Sequence, residues 1–283
     1  MKKLFILPLL ALLMVGCDDN GEKKAAQRLE TARQALNAGD FGKAKIELDS
    51  IKVLYPKAFN ARKERIGLMQ EIELSEQMRT VSYLDSMLQV KQQAFEDIKN
   101  RFVLEKDAEY QDVGNYFWPT QTVEKNLHRS YLRFQVNEHG VMTMTSIYCG
   151  SRSIHHTAVK VTAPDGTFAQ TPASNDSYET TDMGEKIEKA DFHLGQDGNV
   201  IGFIYLNKDK NIRVDYIGDG KYNTTMNATD RKAAAELYGL SQILSSIEQI
   251  KAEKKEANLK IEFVKRNMEK SRNADTTEGN TEE

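Results

Sequence analysis

The chain has 283 residues, of which 40% are hydrophobic and 29% are charged, with 39 Lys and Arg against 42 Asp and Glu. This composition is sufficient for one or two packed domains and excludes a wholly disordered chain. The formal net charge of -3 argues against binding of nucleic acid through phosphate neutralisation, and two cysteines exclude a disulfide scaffold or a four-cysteine zinc module.

Residues 1–16 have the pattern of an export signal. Two lysines precede an apolar run over residues 4–15, which is too short for a permanent transmembrane helix. The run ends in Gly16-Cys17 and polar residues follow at once, an arrangement that resembles the lipobox of bacterial lipoproteins. The resemblance implies that residues 1–16 are removed and that Cys17 is acylated. The competing interpretation is an ordinary signal peptide with an incidental cysteine.

Acyl chains on Cys17 would anchor the protein in a lipid bilayer through residues 17–22, a lipidated tether. Removal of the two lysines leaves a net charge of about -5, so we do not expect charge to hold the protein on anionic lipid. Asp18-Asp19 resembles two sorting signals, one for inner-membrane retention in enteric bacteria and one for surface export in the Bacteroidetes. We expect the outer rather than the inner membrane and leave the periplasmic or surface face open.

Residues 23–60 predict a helical hairpin. Ala32 and Ala44 allow two helices to approach closely, Gly39 lies in the turn, and Pro56 ends the second helix. The spacing resembles one tetratricopeptide repeat, although the consensus Trp of its first helix is absent. Because one repeat cannot form a peptide-binding solenoid, we expect the hairpin to cap the next helix.

Two long helices are predicted over residues 61–102 and 229–272. Each has apolar residues at alternating spacings of three and four, with one break at Lys91 or Lys254. Two apolar stripes of similar length predict an antiparallel coiled-coil hairpin of about 40 residues per helix. Homodimerisation through either helix is the competing interpretation. Residues 273–283 carry no large apolar side chain and predict a disordered acidic tail.

Residues 103–228, between the long helices, contain most of the turn signals and predict an antiparallel β sandwich or barrel. The fold class is therefore α+β, with the β domain inserted into the helical hairpin. The predicted strands cover residues 131–136, 141–148, 158–162, 167–169, 189–194, 200–206, 212–217 and 222–226.

No catalytic or metal-binding pattern emerges from this β domain. His155-His156 are adjacent, so on a strand their rings would point to opposite faces, and the other histidines have no spacing that unites them with this pair. Cys149 lacks a catalytic signature around it and is expected to be a free, partly buried thiol. We therefore predict no metal, no cofactor and no enzymatic activity, with a hydrolase as the least favoured alternative.

Tyr110, Tyr116, Phe117 and Trp118 precede Pro119 and form an aromatic cluster, of which Tyr116, Phe117 and Trp118 are the candidate contact residues. These rings either plug the junction between the helices and the β domain or form a stacking platform for a glycan or a hot spot for a partner. Trp118 is the only tryptophan in the chain.

Three short motifs resemble the O-glycosylation acceptor of the Bacteroidetes, in which Asp precedes Ser or Thr. They place candidate acceptors at Ser50, Ser86 and Thr276. The chain as a whole resembles the envelope lipoproteins of that phylum in architecture, which implies no particular activity. The sequence thus predicts a non-enzymatic, lipid-anchored scaffold that presents its β domain to another envelope protein. The alternative is a lipoprotein whose β surface binds a glycan or peptide.

Overall fold

The structure, a computed structural model, describes residues 19–107 and 109–279. The predicted signal peptide, Cys17 and residues 280–283 lie outside this range. Five helices and ten strands are described: α1 Asp19–Asn37, α2 Phe41–Leu54, α3 Phe59–Ile98, β1 Val103–Glu105, β2 Asn115–Phe117, β3 Tyr131–Asn137, β4 Met142–Gly150, β5 Ala158–Thr162, β6 Phe168–Gln170, β7 Ser177–Asp182, β8 Glu185–His193, α4 Val200–Leu206, β9 Arg213–Ile217, β10 Lys221–Thr225 and α5 Ala228–Gly279. The predicted α+β class, with a β domain inserted between long helices, is confirmed.

The described residues divide into two compact units. One contains residues up to Tyr83 together with those from Lys254 onward, and the other runs from Leu84 to Glu253.

In the first unit, α1 and α2 form a hairpin that packs on the start of α3. Ala32 and Ala44 are fully buried at the crossing, as their small side chains predict, and Leu68 of α3 belongs to the same core. Gly39 takes a left-handed φ of 73° in the turn, and the Asp40 side chain accepts a hydrogen bond from the Lys43 N–H at the start of α2.

In the second unit, two antiparallel sheets share one apolar core. The larger sheet has the order β1-β2-β3-β4-β8-β7, and the smaller has the order β10-β9-β5-β6. Strand β3 shows the expected alternation, with Leu132 and Phe134 inside and Arg133 between them half-exposed. We call the side of the larger sheet that carries Arg133 the outer face.

The long helices also contribute to the core of the second unit. Leu88 and Phe95 of α3 pack on the cluster that contains Leu240 and Ile247 of α5. Arg101, which follows α3 directly, pairs with Glu236 of α5. Phe95 of α3 lines the same cavity as Ile247 and Lys251 of α5, whereas Arg101 pairs with Glu236, so the two helices run antiparallel over this stretch.

The prediction of a strand at residues 200–206 is wrong, because this segment forms α4. The Asp197 carboxylate accepts hydrogen bonds from the N–H groups of Gly195 and Ile201, and Asn199 has a left-handed φ of 63°. These local bonds start a helix. A seven-residue apolar run does not distinguish a buried strand from a buried helix by periodicity.

The ends of the chain also depart from expectation. Helix α1 begins at Asp19, so residues 19–22 of the expected tether are helical, and α5 continues through residues 273–279 of the expected tail. Residues 19–22 and 273–279 contain several weak helix formers (Asp, Asn, Thr and Gly), so neither helix propensity nor the absence of large apolar side chains predicted where α1 begins and α5 ends.

Candidate functional site

Tyr116 and Phe117, predicted as part of a stacking platform, do not share one face. They are consecutive residues of β2, so their side chains point to opposite sides of the sheet. The Tyr116 ring lies edge-on to Phe95 with centroids 5.9 Å apart, and Phe117 is buried under the guanidinium of Arg133. The structure therefore does not bring these two rings together as one binding surface.

Trp118 packs against the core of the second unit. Its ring lies edge-on to Phe102 with centroids 5.6 Å apart, and the cationic groups of Arg101 and Lys232 lie 5.6 Å and 5.5 Å from its centre. The protein's own cations therefore already lie over the Trp118 ring. The arrangement favours the interpretation of an apolar junction over that of an open sugar platform.

The candidate O-glycosylation sites all lie in helices. Ser50 is half-buried in α2, where its hydroxyl donates to the Ile46 carbonyl, and Ser86 is exposed in α3. Thr276 lies in the last part of α5, and its side chain is outside the described atoms, as is Cys17.

A buried polar network in the second unit has the bonding order of a hydrolytic triad. The Ser146 hydroxyl lies 2.8 Å from His156 Nε2, and His156 Nδ1 lies 3.0 Å from a Glu188 carboxylate oxygen. Nucleophile, base and orienting acid follow this order in serine hydrolases. All three residues are at most 2% exposed, so no substrate can reach the Ser146 hydroxyl in this conformation.

Glu188 has a structural role in this network. Its carboxylate accepts hydrogen bonds from the N–H groups of Ile154, His155 and His156, three consecutive residues that lead into β5. Burial alone raises the pKa of Glu188, but these bonds and the His156 ring outweigh it, so the pKa is lowered. Glu188 thus remains a carboxylate that joins the connecting segment to the larger sheet.

His155, Glu179 and Glu188 form the one group among the described residues whose ligand atoms lie close enough for a metal ion. His155 Nδ1 already lies 2.8 Å from a Glu179 oxygen, and both Glu188 oxygens accept backbone hydrogen bonds. The exposed His155–Glu179 pair has the geometry of an ion pair, and it raises the pKa of His155.

The outer face of the larger sheet carries a pocket that the sequence did not predict. Tyr131, Ile147 and Ile187 from the central strands give it an apolar floor, and its volume is about 170 Å³. The segment between β2 and β3 forms one wall, where Val123 and Leu127 are both exposed. We call this cavity the outer-face pocket.

The charged side chains that line the outer-face pocket are all basic. Arg129, Arg133, Lys189 and the ionisable His128 line it, and no carboxylate does so among the described residues. Arg129 pairs with the buried Asp230, and His128 bonds to Glu185. Arg133 and Lys189 have no ion-pair partner within residues 19–107 and 109–279.

Cys149 also lines the outer-face pocket. Its thiol lies 3.4 Å from the Glu185 carboxylate, which also accepts a hydrogen bond from His128. Burial first, and then the hydrogen bond to Glu185 and the charge of Glu185, raise the pKa of Cys149 to about 11. A nucleophilic cysteine requires the opposite shift, so this thiol is not activated.

The residues of the outer-face pocket come from β3, β4, β8 and the segment before β3, and strand register brings those of the three strands together. Ile147 lies opposite Tyr131 on one side and Lys189 on the other. The sequence offers one signal, the alternation that places Tyr131 and Arg133 on the same face of β3. The order of the strands, which the sequence did not reveal, is needed for the rest.

Comparison of the chain with protein-family models, curated proteins and solved structures finds no match. Among the helices of residues 19–107 and 109–279, none is both long and apolar enough to cross a bilayer.

Proposed function

We propose that this chain is a lipid-anchored scaffold of the bacterial cell envelope, of the Bacteroidetes type, which is acylated at Cys17 and binds another envelope protein. The export signal ending in Gly16-Cys17 supports the anchor. The architecture of helices with an inserted β domain is compatible with a scaffold.

An exposed apolar surface in the first unit carries the proposal of partner binding. Ile46 and Val53 of α2 are 66% and 73% exposed, and Phe59 and Ile66 of α3 are 74% and 53% exposed. Within each helix the two residues are seven positions apart and so lie on one face. We call these four residues the hairpin surface.

The two helices are neighbours at the hairpin surface. The Asp49 carboxylate, between Ile46 and Val53 on α2, lies 3.5 Å from the guanidinium of Arg65, which precedes Ile66. Apolar pairs at heptad spacing on adjacent helices form the kind of groove that accepts an amphipathic helix. The partner we propose is therefore a helical segment of another envelope protein.

The chemistry of the second unit supports a non-enzymatic role. The Ser146–His156–Glu188 network is sealed in the core, and the Cys149 thiol has a raised pKa. The alternative of glycan or peptide binding at Trp118 has less support, because protein cations already lie over that ring.

Site-specific photo-crosslinking in living cells tests the partner. A photo-reactive amino acid at Val53 or Phe59 should capture the same envelope protein, identified by mass spectrometry. Glu30, an exposed residue of α1, is the matched control position and should not capture it. Val53→Asp should abolish capture from position 59.

Two outcomes would contradict partner binding: identical products at Glu30 and Val53, or crosslinks only to a second copy of this chain. The second outcome would identify a homodimer. The anchor is tested separately by metabolic labelling with an alkyne-tagged fatty acid, which Cys17→Ala should abolish. Retained label in that variant would contradict acylation at Cys17.

A further inference from the structure

We propose that the outer-face pocket of the larger sheet binds a small organic acid, with the apolar body on the floor and the carboxylate against Arg133 and Lys189. This site is separate from the hairpin surface, so either proposal can fail without the other.

The size and lining of the pocket determine which apolar group of a ligand would fit. A dry cavity of about 150 Å³ lined by aliphatic and aromatic side chains accommodates benzene, and this pocket has a volume of about 170 Å³. Tyr131 and Ile147 on its floor are nearly fully buried, so packing within the sheet holds them in place. An acyl chain of about eight carbons or a single aromatic ring matches this space.

The charges of the pocket determine which polar head group of a ligand would bind. Among the described residues Arg133 and Lys189 have no carboxylate partner, and the buried Nε atoms of Arg129 and Arg133 have no hydrogen-bond partner. These Nε atoms are closed to solvent, so a ligand in the pocket would bind the remainder of the half-exposed Arg133 side chain and not its Nε atom. Arginine binds a carboxylate through two parallel N–H bonds.

The surroundings argue against a larger or a neutral ligand. Val123 and Leu127, about half exposed on the wall, would be covered by an acyl chain that fills the pocket. Three acidic side chains lie next to the pocket without lining it: Glu185 contacts His128 and Cys149, Asp230 pairs with Arg129, and Asp191 follows Lys189 by two positions along β8. An anionic head group at Arg133 and Lys189 therefore meets cations within the pocket and no carboxylate among its lining residues.

Titration calorimetry with sodium octanoate tests the proposal, with 1-octanol as the uncharged probe of equal length. The full chain with Cys17→Ser avoids acylation and serves as the parent. We expect one saturable octanoate site with a dissociation constant of about 0.1–1 mM. Arg133→Gln and Lys189→Gln should each weaken octanoate binding about three- to tenfold. They should leave octanol binding unchanged.

Lys221→Gln is the matched control, since it removes one charge from an exposed position on β10 of the smaller sheet. It should bind octanoate like the parent. Ile187→Trp, which fills the floor, should abolish binding of both probes, and circular dichroism checks that this variant is folded. The proposal is overturned if octanoate shows no saturable binding below about 10 mM, if octanol binds equally well, or if Lys221→Gln weakens octanoate as much as Arg133→Gln.

Discussion

Cys149 shows how a single residue can look reactive in a sequence and be unreactive in its fold. It is the only cysteine within the described residues and lines a pocket beside a histidine. Burial of the thiol is the largest cause of its raised pKa, and the carboxylate that contacts both groups adds to it. Glu185 lies beside the thiol, and a negative charge opposes ionisation of a neighbouring thiol.

The alkylation rate of Cys149 follows from its pKa. With a pKa of about 11, against 9.0 for an unperturbed thiol, the thiolate fraction near neutral pH is about a hundredfold lower. The greater nucleophilicity of a more basic thiolate recovers about tenfold. In the full chain with Cys17→Ser, we expect iodoacetamide to react about tenfold more slowly than with an exposed cysteine peptide. The rate should rise about tenfold per pH unit up to roughly pH 10.

Glu185→Gln is the informative comparison for this measurement. It removes the charge beside the thiol and leaves the burial unchanged, so the pKa of Cys149 should fall only in part and the rate near neutral pH should increase. A rate that reaches its plateau below pH 9 would contradict the raised pKa. An unchanged rate in Glu185→Gln would show that burial alone sets it.

At the scale of elements, α4 shows where a sequence pattern does not distinguish a helix from a strand. The run Val200–Leu206 is apolar throughout, and the buried set of Val200, Ile201 and Ile204 has helical spacing. The strand prediction failed because an uninterrupted apolar run hides its own periodicity. The Asp197-Gly198 pair before it is typical of a turn, and the sequence alone did not indicate that Asp197 starts a helix.

Asp197→Ala should destabilise the protein measurably. Asp197 is fully buried, and its carboxylate accepts from the N–H groups of Gly195 and Ile201 at 3.1 Å and 2.6 Å. Removal leaves two donors unsatisfied, which costs about 2–3 kcal/mol of unfolding free energy in urea titrations. Asp165→Ala, in an exposed Asp-Gly turn, is the control and should cost less. Equal losses in the two variants would contradict the role assigned to Asp197.

Strand β7 and the outer-face pocket show two further limits of prediction. Strand β3 was predicted because apolar and polar residues alternate along residues 131–136. The edge strand β7 is exposed along nearly its whole length, so burial imposes no alternation on it. The pocket depends on β8 lying beside β4, a pairing between residues about 40 positions apart that no local pattern encodes.

At the scale of the whole molecule, a few buried polar contacts join the two sheets in addition to the apolar core that they share. The segment of residues 154–156 follows β4 of the larger sheet and leads into β5 of the smaller one, and Glu188 holds all three of its N–H groups. Tyr216 of the smaller sheet donates its hydroxyl to the Ile147 carbonyl of the larger. The His156 ring packs edge-on against Tyr216 with centroids 5.1 Å apart, so the polar and aromatic contacts reinforce one another.

The pH dependence of stability should reflect Glu188. Its pKa is lower in the folded protein than in the unfolded chain, so the unfolded state binds the proton more tightly. The stability that Glu188 contributes is therefore complete above its unfolded pKa, near 4.5, and is lost as the pH falls through the folded value.

Glu188→Gln should lower the free energy of unfolding by about 3 kcal/mol at pH 7, because an amide cannot replace both acceptor oxygens. Urea unfolding at pH 7 and pH 3 should show a smaller acid loss in the variant than in the parent. Glu179→Gln, which alters an exposed pair, should leave the pH dependence nearly unchanged. An equal acid loss in parent and Glu188→Gln would show that other carboxylates carry the pH dependence of the fold.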